Sequence, residues 1–160
     1  MENIRRAEDK DTKKIMELLV QVDMVHHEGR PDLFKGPAAK YTEAQLHEIF
    51  HDELRPVFVY TDENDTVLGY AFCIYKQETE DNILTPVKTL YIDDLCVDEA
   101  FRGQHIGEKL YRFVVNHAKE TGCYNLTLNV WTSNENALKF YEKCGLKPQK
   151  IGMETILGTV

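Results

Sequence analysis

A basic, glycine-containing turn between an apolar strand and a helix carries the clearest chemical signal in this sequence. The turn reads Arg102-Gly103-Gln104-His105-Ile106-Gly107. The preceding residues, Leu90–Val97, are rich in β-branched and aromatic side chains and predict a strand. Apolar residues then recur at helical spacing until Gly122, which is typical of a helix end. Because free N–H groups and the positive dipole end of such a helix attract anions, the turn predicts a diphosphate site, to which Arg102 adds a full charge.

Two common phosphate-binding patterns are missing from the chain. Neither G-x-G-x-x-G nor G-x-x-x-x-G-K-[ST] occurs, so the sequence supports neither a Rossmann dinucleotide fold nor a P-loop NTPase. The chain has 27 Asp and Glu residues against 19 Lys and Arg residues, whereas a nucleic-acid binder needs clustered basic residues. We therefore expect a small ligand that carries phosphate, and no nucleic acid as a partner.

Length and composition predict the number of domains, the compartment and the state of the cysteines. The 160 residues suit one ordinary domain. The longest uninterrupted apolar run, Tyr70–Tyr75, is too short to span a bilayer, and the first residues lack a signal-peptide core, so we expect a cytoplasmic protein with no membrane partner. The four cysteines form no C-x-x-C pair and lie in or beside apolar segments, which favours buried, reduced thiols; they are Cys73, Cys96, Cys123 and Cys144.

The periodicity of apolar residues predicts alternating groups of strands and helices. Strands are expected over 3–7, 56–61, 67–77, 87–97, 125–130 and 149–157. Helices are expected from Asp11, over about 42–53, from Ile106, and over 134–144, with a loop over 26–41. This order predicts a single-domain α/β fold whose mixed, mostly antiparallel central sheet is flanked by about four helices.

The basic turn and the segment Asn129–Leu146 together resemble the GNAT superfamily of acyl-CoA-dependent N-acetyltransferases. The resemblance covers Leu90 to about Leu157. The family pattern is Arg or Gln, two residues, Gly, one residue, and Gly or Ala; Arg102 and Gly107 match it, and His105 stands where the first glycine is usual. Histidine is enriched at positive φ among non-glycine residues, so the departure is tolerable, with weaker cofactor binding as its expected cost.

The resemblance implies a co-substrate and the residues that hold it. It implies acetyl-CoA, no metal, and one N-acetyltransferase domain over residues 1–160. In the family the fourth and fifth strands splay apart, and the pantetheine arm pairs with the main chain of the fourth strand, here Leu95, Cys96 and Val97. The diphosphate then rests on the backbone amides of Arg102, Gly103, Gln104, His105, Ile106, Gly107 and Glu108. Asn134 matches a position that contacts the arm, and it equally suits the N-cap of the last helix.

The resemblance also implies a catalytic set. Tyr141 stands where the family commonly places a tyrosine whose hydroxyl reaches the coenzyme A sulfur, which makes it the predicted general acid; its alternative role is that of a core aromatic. Asp93 and Asp94 are the carboxylates nearest the expected reaction centre. Strand alternation sends their side chains to opposite faces unless a bulge intervenes, so either is a candidate base, and a structural ion pair is the alternative.

Two other functions fit part of the sequence. Residues 47–51 read His-Glu-Ile-Phe-His, the H-E-x-x-H pattern of zinc proteases, but no third ligand follows downstream and Pro56 soon ends the helix. A zinc hydrolase is therefore the less favoured alternative. The other alternative is a GNAT-like module that binds coenzyme A without catalysis, because His105 departs from the family pattern.

The sequence is compatible with several classes of acceptor. The segment His26–Phe34 lies where the family lines its acceptor pocket, and Glu28 and Asp32 could bind an ammonium group. The expected acceptor is a small-molecule or peptide amine. The sequence leaves both a monomer and a homodimer open.

Overall fold

A five-stranded sheet forms the centre of the protein. The computed structural model describes residues 3–159. The strands follow one another across the sheet in chain order: β1 (Ile4–Arg6), β2 (Val57–Thr61), β3 (Val67–Gln77), β4 (Lys88–Val97) and β5 (Asn125–Leu128). The pairs β1–β2, β2–β3 and β3–β4 are antiparallel, and β5 runs parallel to β4. The mixed, mostly antiparallel sheet that the sequence predicts is thus confirmed.

Four helices accompany the sheet, as predicted. They are α1 (Thr12–Gly29), α2 (Glu43–Phe50), α3 (Ile106–Glu120) and α4 (Glu135–Lys143). Their ends follow local signals in the sequence. Thr42 and Gln45 form the expected capping box at the start of α2. Beyond α3 and α4, Gly122 and Gly145 adopt φ angles of 77° and 100°, a left-handed conformation that glycine adopts without steric cost.

The helices cover both faces of the sheet. On one face, α1 and α2 bury Leu18 and Leu46 against side chains of β2, β3 and β4. On the other, α3 buries Leu110 and Val114 against the opposite side of the same strands. This three-layer packing holds the end of β4 between α1 and α3, and the turn that is predicted to bind a diphosphate follows that end. None of the helices in the described part of the chain combines the length and apolarity that a membrane span requires.

Two predicted elements differ from the structure. Helix α1 continues to Gly29, through residues expected to be loop, because its last turns pack beside the segment that precedes α2. The predicted strand over 149–157 is wrong, since this segment has no regular structure. Its apolar residues Ile151 and Met153 are 78% and 88% exposed. Alternating residues favour a strand only when a neighbouring strand completes its hydrogen bonds, and among the described residues none does so here.

Candidate active site

The site begins where β4 and β5 separate. The parallel ladder runs from Thr89 opposite Asn125 to Ile92 opposite Leu128, where β5 ends. Strand β4 continues for another five residues to Val97, paired on its other side with β3. The β4 edge that faces away from β3 therefore carries unpaired main-chain groups past Ile92 within the described structure. The residues on this stretch that the family resemblance assigns to pantetheine binding are Leu95, Cys96 and Val97.

The turn that is predicted to bind a diphosphate follows directly from this open edge. After Val97 the chain makes one 3-10 turn, Glu99–Phe101, and enters α3 through His105. Among the described residues, the N–H groups of Ile106, Gly107 and Glu108 hydrogen bond to no protein acceptor. A helix end with free amides attracts anions. Arg102, which is exposed and forms no ion pair with a described residue, lies just before this end.

The backbone of the turn explains its unusual residues. Gly103 has a φ of 86°, and His105 has a φ of 61° and a ψ of 21°, which is the left-handed conformation. His105, which stands where the family usually has a glycine, therefore adopts a left-handed conformation that glycine takes readily. A Cβ on Gly107 would lie 3.4 Å from the Phe140 ring and 3.5 Å from Val97, so a small residue lets α3 approach both α4 and β4.

Asp98 links the turn to α1 through hydrogen bonds, a role that the sequence did not reveal. Its carboxylate, buried at the end of β4, accepts hydrogen bonds from Lys14 Nζ at 2.7 Å and from the Ala100 amide at 3.1 Å. Burial alone raises the pKa of Asp98, but the Lys14 and Ala100 hydrogen bonds hold it below its usual value. The Glu99 amide donates to Gln21 on the same helix. The only hint in the sequence is that aspartate commonly caps a helical turn after a strand.

A β-bulge decides how the two candidate aspartates lie. The pairing with β3 passes from Asp94 opposite Phe72 to Ile92 opposite Cys73, so Asp93 is the extra residue. The bulge interrupts strand alternation, and both carboxylates join the same aromatic cluster. Tyr41 donates to Asp93 Oδ2 at 2.5 Å, and Tyr70 donates to Asp94 Oδ2 at 2.8 Å. The rings of both tyrosines pack on Phe72, with centroid distances of 5.5 and 4.9 Å.

The two carboxylates differ in their electrostatic surroundings. Asp93 forms an ion pair with Lys40, at 3.0 Å from Oδ1 to Nζ, in addition to its bond from Tyr41. For Asp94, desolvation raises the pKa to about 6, the Tyr70 hydrogen bond opposes this effect, and the nearby charge of Asp93 adds to it. A carboxylate with this pKa is ionised at neutral pH yet accepts a proton readily, as a general base must.

Tyr141 lies on α4, within electrostatic reach of Asp94. Burial raises the pKa of its phenol far above the usual value, and the negative charge of Asp94 raises it further. The hydroxyl is therefore protonated at neutral pH. Among the described residues it hydrogen bonds to no protein group, so it is available to a ligand. The structure thus brings Asp93, Asp94 and Tyr141 to the open part of β4.

Asn134 and the expected acceptor segment meet at a surface cavity. Asn134 caps α4, with its Oδ1 accepting from the Ala137 amide at 3.2 Å. The cavity is lined by Val25, Glu28, Gly29 and residues 133–136. Asp32, one of the two expected ammonium ligands, is instead held by Arg30 through two hydrogen bonds of 2.9 and 2.8 Å. Glu28 remains on the cavity wall.

The H-E-x-x-H segment forms a separate cluster on the outer face of α2. His47 Nδ1 and His51 Nε2 each lie 3.0 Å from a carboxylate oxygen of Asp9, and all three side chains are exposed. These three groups could hold a metal ion. Asp9 lies 38 residues upstream of His47, whereas the H-E-x-x-H pattern of zinc proteases places its third ligand downstream. The hydrogen bonds of this cluster join its members to one another rather than to Asp93 or Asp94.

We expect activity to survive removal of divalent metals. The predicted acid–base groups Asp94 and Tyr141 belong to the β4 site, whereas Asp9, His47 and His51 lie on exposed surface. Purified protein should contain no stoichiometric zinc by elemental analysis, and turnover should be unchanged in a chelator. The variant His47→Gln should be as active as the unmodified chain. One zinc per chain, lost together with activity on chelation, would show that this expectation is wrong.

The structure thus combines a five-stranded sheet, strands β4 and β5 that separate, and a helix end with free amides beside them. The chain matches the acetyltransferase (GNAT) family over residues 21–146 and belongs to that family. A solved structure of a tetramutant of the BH1408 protein from Bacillus halodurans is 30% identical in sequence, with a TM-score of 0.91 over 96% of this chain and 99% of that one. The resemblance seen in the sequence is therefore confirmed.

Curated relatives are named acetyltransferases. Glucosamine 6-phosphate N-acetyltransferase from Arabidopsis thaliana is 30% identical over 97 residues, which cover 52% of this chain and 63% of that protein. Thialysine N-epsilon-acetyltransferase from Bos taurus is 30% identical over 79 residues, covering 49% and 44%. The chain thus spans less than two thirds of the length of these two relatives.

Proposed function

We propose that this chain, acting as one domain over residues 1–160, moves an acetyl group from acetyl-CoA to a primary amine by direct transfer. One observation carries the proposal: the open edge of β4 leads into an anion-binding helix end, and an ionisable carboxylate and a protonated phenol flank the same edge. The acetyl thioester supplies the activated acyl group. The residues around β4 supply binding, orientation and proton transfer.

The residues of the open edge and the turn fit acetyl-CoA. The free amides of Ile106, Gly107 and Glu108, with the charge of Arg102, suit a diphosphate. The unpaired main-chain groups of Leu95 to Val97 suit the amides of a pantetheine arm, which would lie along the strand as an added neighbour does. Asn134 is placed at the start of α4, although its side chain already caps that helix.

Proton transfer would be divided between two residues. Asp94, ionised above a pKa of about 6, accepts the proton that the amine loses as its nitrogen forms a bond to the acetyl carbon. Tyr141 donates its hydroxyl proton to the sulfur as the carbon–sulfur bond breaks. A main-chain N–H of the open edge stabilises the negative charge that develops on the acetyl oxygen. Asp93, paired with Lys40 and Tyr41, is a positioning residue for this cluster.

The acceptor is a small-molecule or peptide amine. The relatives named above act on glucosamine 6-phosphate and thialysine, and a further relative from Bacillus subtilis is named as an alanine N-acetyltransferase of a ribosomal protein. These names support both a small-molecule amine and a peptide amine as the acceptor. In this chain the cavity beside α4 carries Glu28 and Glu135, whose negative charges suit a cationic amine.

An acceptor screen that measures release of free coenzyme A thiol tests the proposal. The panel should contain glucosamine 6-phosphate, thialysine, an aminoglycoside, a polyamine and peptides with free N-terminal or lysine amines. We expect saturable turnover with at least one of them. If coenzyme A binds and no amine on the panel gives turnover above that of Tyr141→Phe, the chain is a binding module and the catalytic proposal is wrong.

We expect coenzyme A to raise the melting temperature by several degrees when present in excess, because it binds the folded state alone. Arg102→Glu should reduce this shift without unfolding the domain, since Arg102 is exposed and forms no ion pair among the described residues. Lys119→Glu, the same charge change at the far end of α3, is the matched control and should keep the full shift. No shift at millimolar coenzyme A would contradict the proposed site.

A further inference from the structure

Two histidines and one aspartate bring metal-binding atoms together on the surface of α2. His47 lies in the last turn of this helix, and His51 caps its C-terminal end. Residues four apart on a helix lie on one face, and the centroids of the two imidazole rings are 4.5 Å apart. Asp9 completes the cluster from the 3-10 turn that precedes α1. The three groups therefore come from two elements that are distant in the chain.

The distances within this cluster suit a single metal ion. His47 Nδ1 and His51 Nε2 each lie 3.0 Å from a carboxylate oxygen of Asp9. One ligand atom from each residue lies within 4.8 Å of the others. Ligand atoms of a tetrahedral zinc ion, each about 2.0–2.2 Å from the metal, stand about 3.3 Å from one another. Small rotations of the three side chains would therefore bring all three ligand atoms within bonding distance of one ion.

The ligand types select the kind of cation. Two imidazole nitrogens and one carboxylate oxygen suit Zn²⁺, whereas Mg²⁺ prefers oxygen ligands. Lys10, the cation next to Asp9 in the sequence, is bound to Asp65 at 2.7 Å and to Glu8 at 3.2 Å, so its charge is neutralised by other carboxylates. The net charge of −8 on the chain also favours the approach of a cation.

The packing of α2 does not depend on the cluster. This helix contacts the core through its other face, which includes the buried Leu46 and Ile49. The side chains of His47, His51 and Asp9 are 66%, 60% and 49% exposed. Exposed pairs of this kind contribute little to stability on their own. The three side chains are therefore accessible to an ion from solution.

We propose that Asp9, His47 and His51 bind one zinc ion, which links the start of α1 to the end of α2. Three protein ligands come together here within residues 3–159, so water would hold the fourth position of a tetrahedral site. The ion closes the loop of chain from Asp9 to His47, which contains α1, and thereby stabilises the packing of α1 against α2.

This ion is structural and takes no part in the proposed acetyl transfer. The hydrogen bonds of the cluster join its members to one another and not to Asp93 or Asp94. Because the three ligands are exposed, the ion exchanges with solvent. Protein purified without added metal should therefore still contain no stoichiometric zinc, and the site should fill when zinc is supplied.

Calorimetric titration of the dialysed chain with zinc chloride tests this proposal. We expect one zinc ion per chain, with a dissociation constant of about 1–10 µM. Zinc at about 100 times this constant should raise the melting temperature by several degrees, because it binds the folded state. Magnesium chloride at the same concentration should leave the melting temperature unchanged. No zinc binding up to about 1 mM, or magnesium binding of equal strength, would overturn the proposal.

Two ligand variants locate the ion. His51→Gln and Asp9→Asn should each weaken zinc binding by at least about 10-fold, because each removes one of three ligands. Glu43→Gln is the matched control, since it neutralises an exposed carboxylate in the first turn of the same helix and should keep the affinity. Melting curves without metal show whether each variant folds. Unchanged zinc affinity in both ligand variants would place the ion elsewhere and overturn the proposal.

Paramagnetic Co²⁺ identifies the ligands in the unmodified chain. In NMR spectra, substoichiometric Co²⁺ should broaden the ring signals of His47 and His51 before those of His26 and His117, because broadening falls steeply with distance from the ion. The opposite order would overturn the proposal. Neither coenzyme A nor an amine enters these measurements, so their outcome is independent of the proposed acetyl transfer.

Discussion

Replacing Tyr141 by phenylalanine should lower kcat by about 10²- to 10⁴-fold, the range that general acid catalysis contributes. The substitution removes the hydroxyl and keeps the ring that packs beside Phe140, at a centroid distance of 5.2 Å. Stability and coenzyme A affinity should therefore change little, and KM should stay nearly constant. Steady-state kinetics with the best acceptor, together with thermal melting in the presence of coenzyme A, measure both effects.

The matched control for this substitution is Tyr124→Phe. Tyr124 is 76% exposed beside β5, and its replacement removes the same hydroxyl from a residue outside the site. It should keep the kcat of the unmodified chain. If Tyr141→Phe retains turnover within a factor of about two, water or another group protonates the sulfur, and Tyr141 serves as a core aromatic.

Asp94→Asn should lower activity and raise stability, two effects with one electrostatic cause. As the base, Asp94 must be ionised, so kcat/KM of the unmodified chain should rise with pH through about 6. The variant should lose about 10²- to 10⁴-fold in kcat/KM. The loss should be largest at low pH, where few acceptor amines are already neutral. A pH–rate profile that Asp94→Asn leaves unmoved would show that Asp94 is not the base.

The stability effect has the opposite sign. The folded-state pKa of Asp94, about 6, is raised above the ordinary 3.8, so the folded protein holds this proton more tightly than the unfolded chain. The contribution to stability is full below pH 4 and is lost as the pH rises through 6. A shift of about two pKa units corresponds to at most about 3 kcal/mol. Asp94→Asn should therefore melt several degrees higher than the unmodified chain at pH 8, and at the same temperature near pH 4.

Asp93→Asn is the informative comparison for Asp94. It leaves Tyr41 a hydrogen-bond acceptor but removes the ion pair with Lys40. As a positioning residue, Asp93 should affect kcat. The midpoint of the pH–rate profile should fall only by the amount that the loss of one negative charge near Asp94 causes. A variant of Asp93 that abolishes the pH dependence altogether would exchange the roles of the two aspartates.

The elements that follow from local interactions were accessible from the sequence. The capping box of Thr42 and Gln45, the left-handed Gly122 and Gly145, and the turn before α3 each depend on hydrogen bonds and backbone angles within a few residues. The family resemblance rests on the same local features. They suffice to predict the turn between β4 and α3, in which His105 adopts the left-handed conformation that glycine takes readily.

Only the tertiary structure decided how the side chains proposed to be catalytic lie relative to one another. The bulge at Asp93 arises from the register between β3 and β4, which depends on cross-strand packing and cannot be read from either strand alone. Asp98 and Lys14 pair across 84 positions of the chain. The segment 149–157 likewise depends on contacts that are distant in the chain. Its alternating residues predict a strand, but whether a strand forms depends on a neighbouring edge, and long-range packing decides where that edge lies.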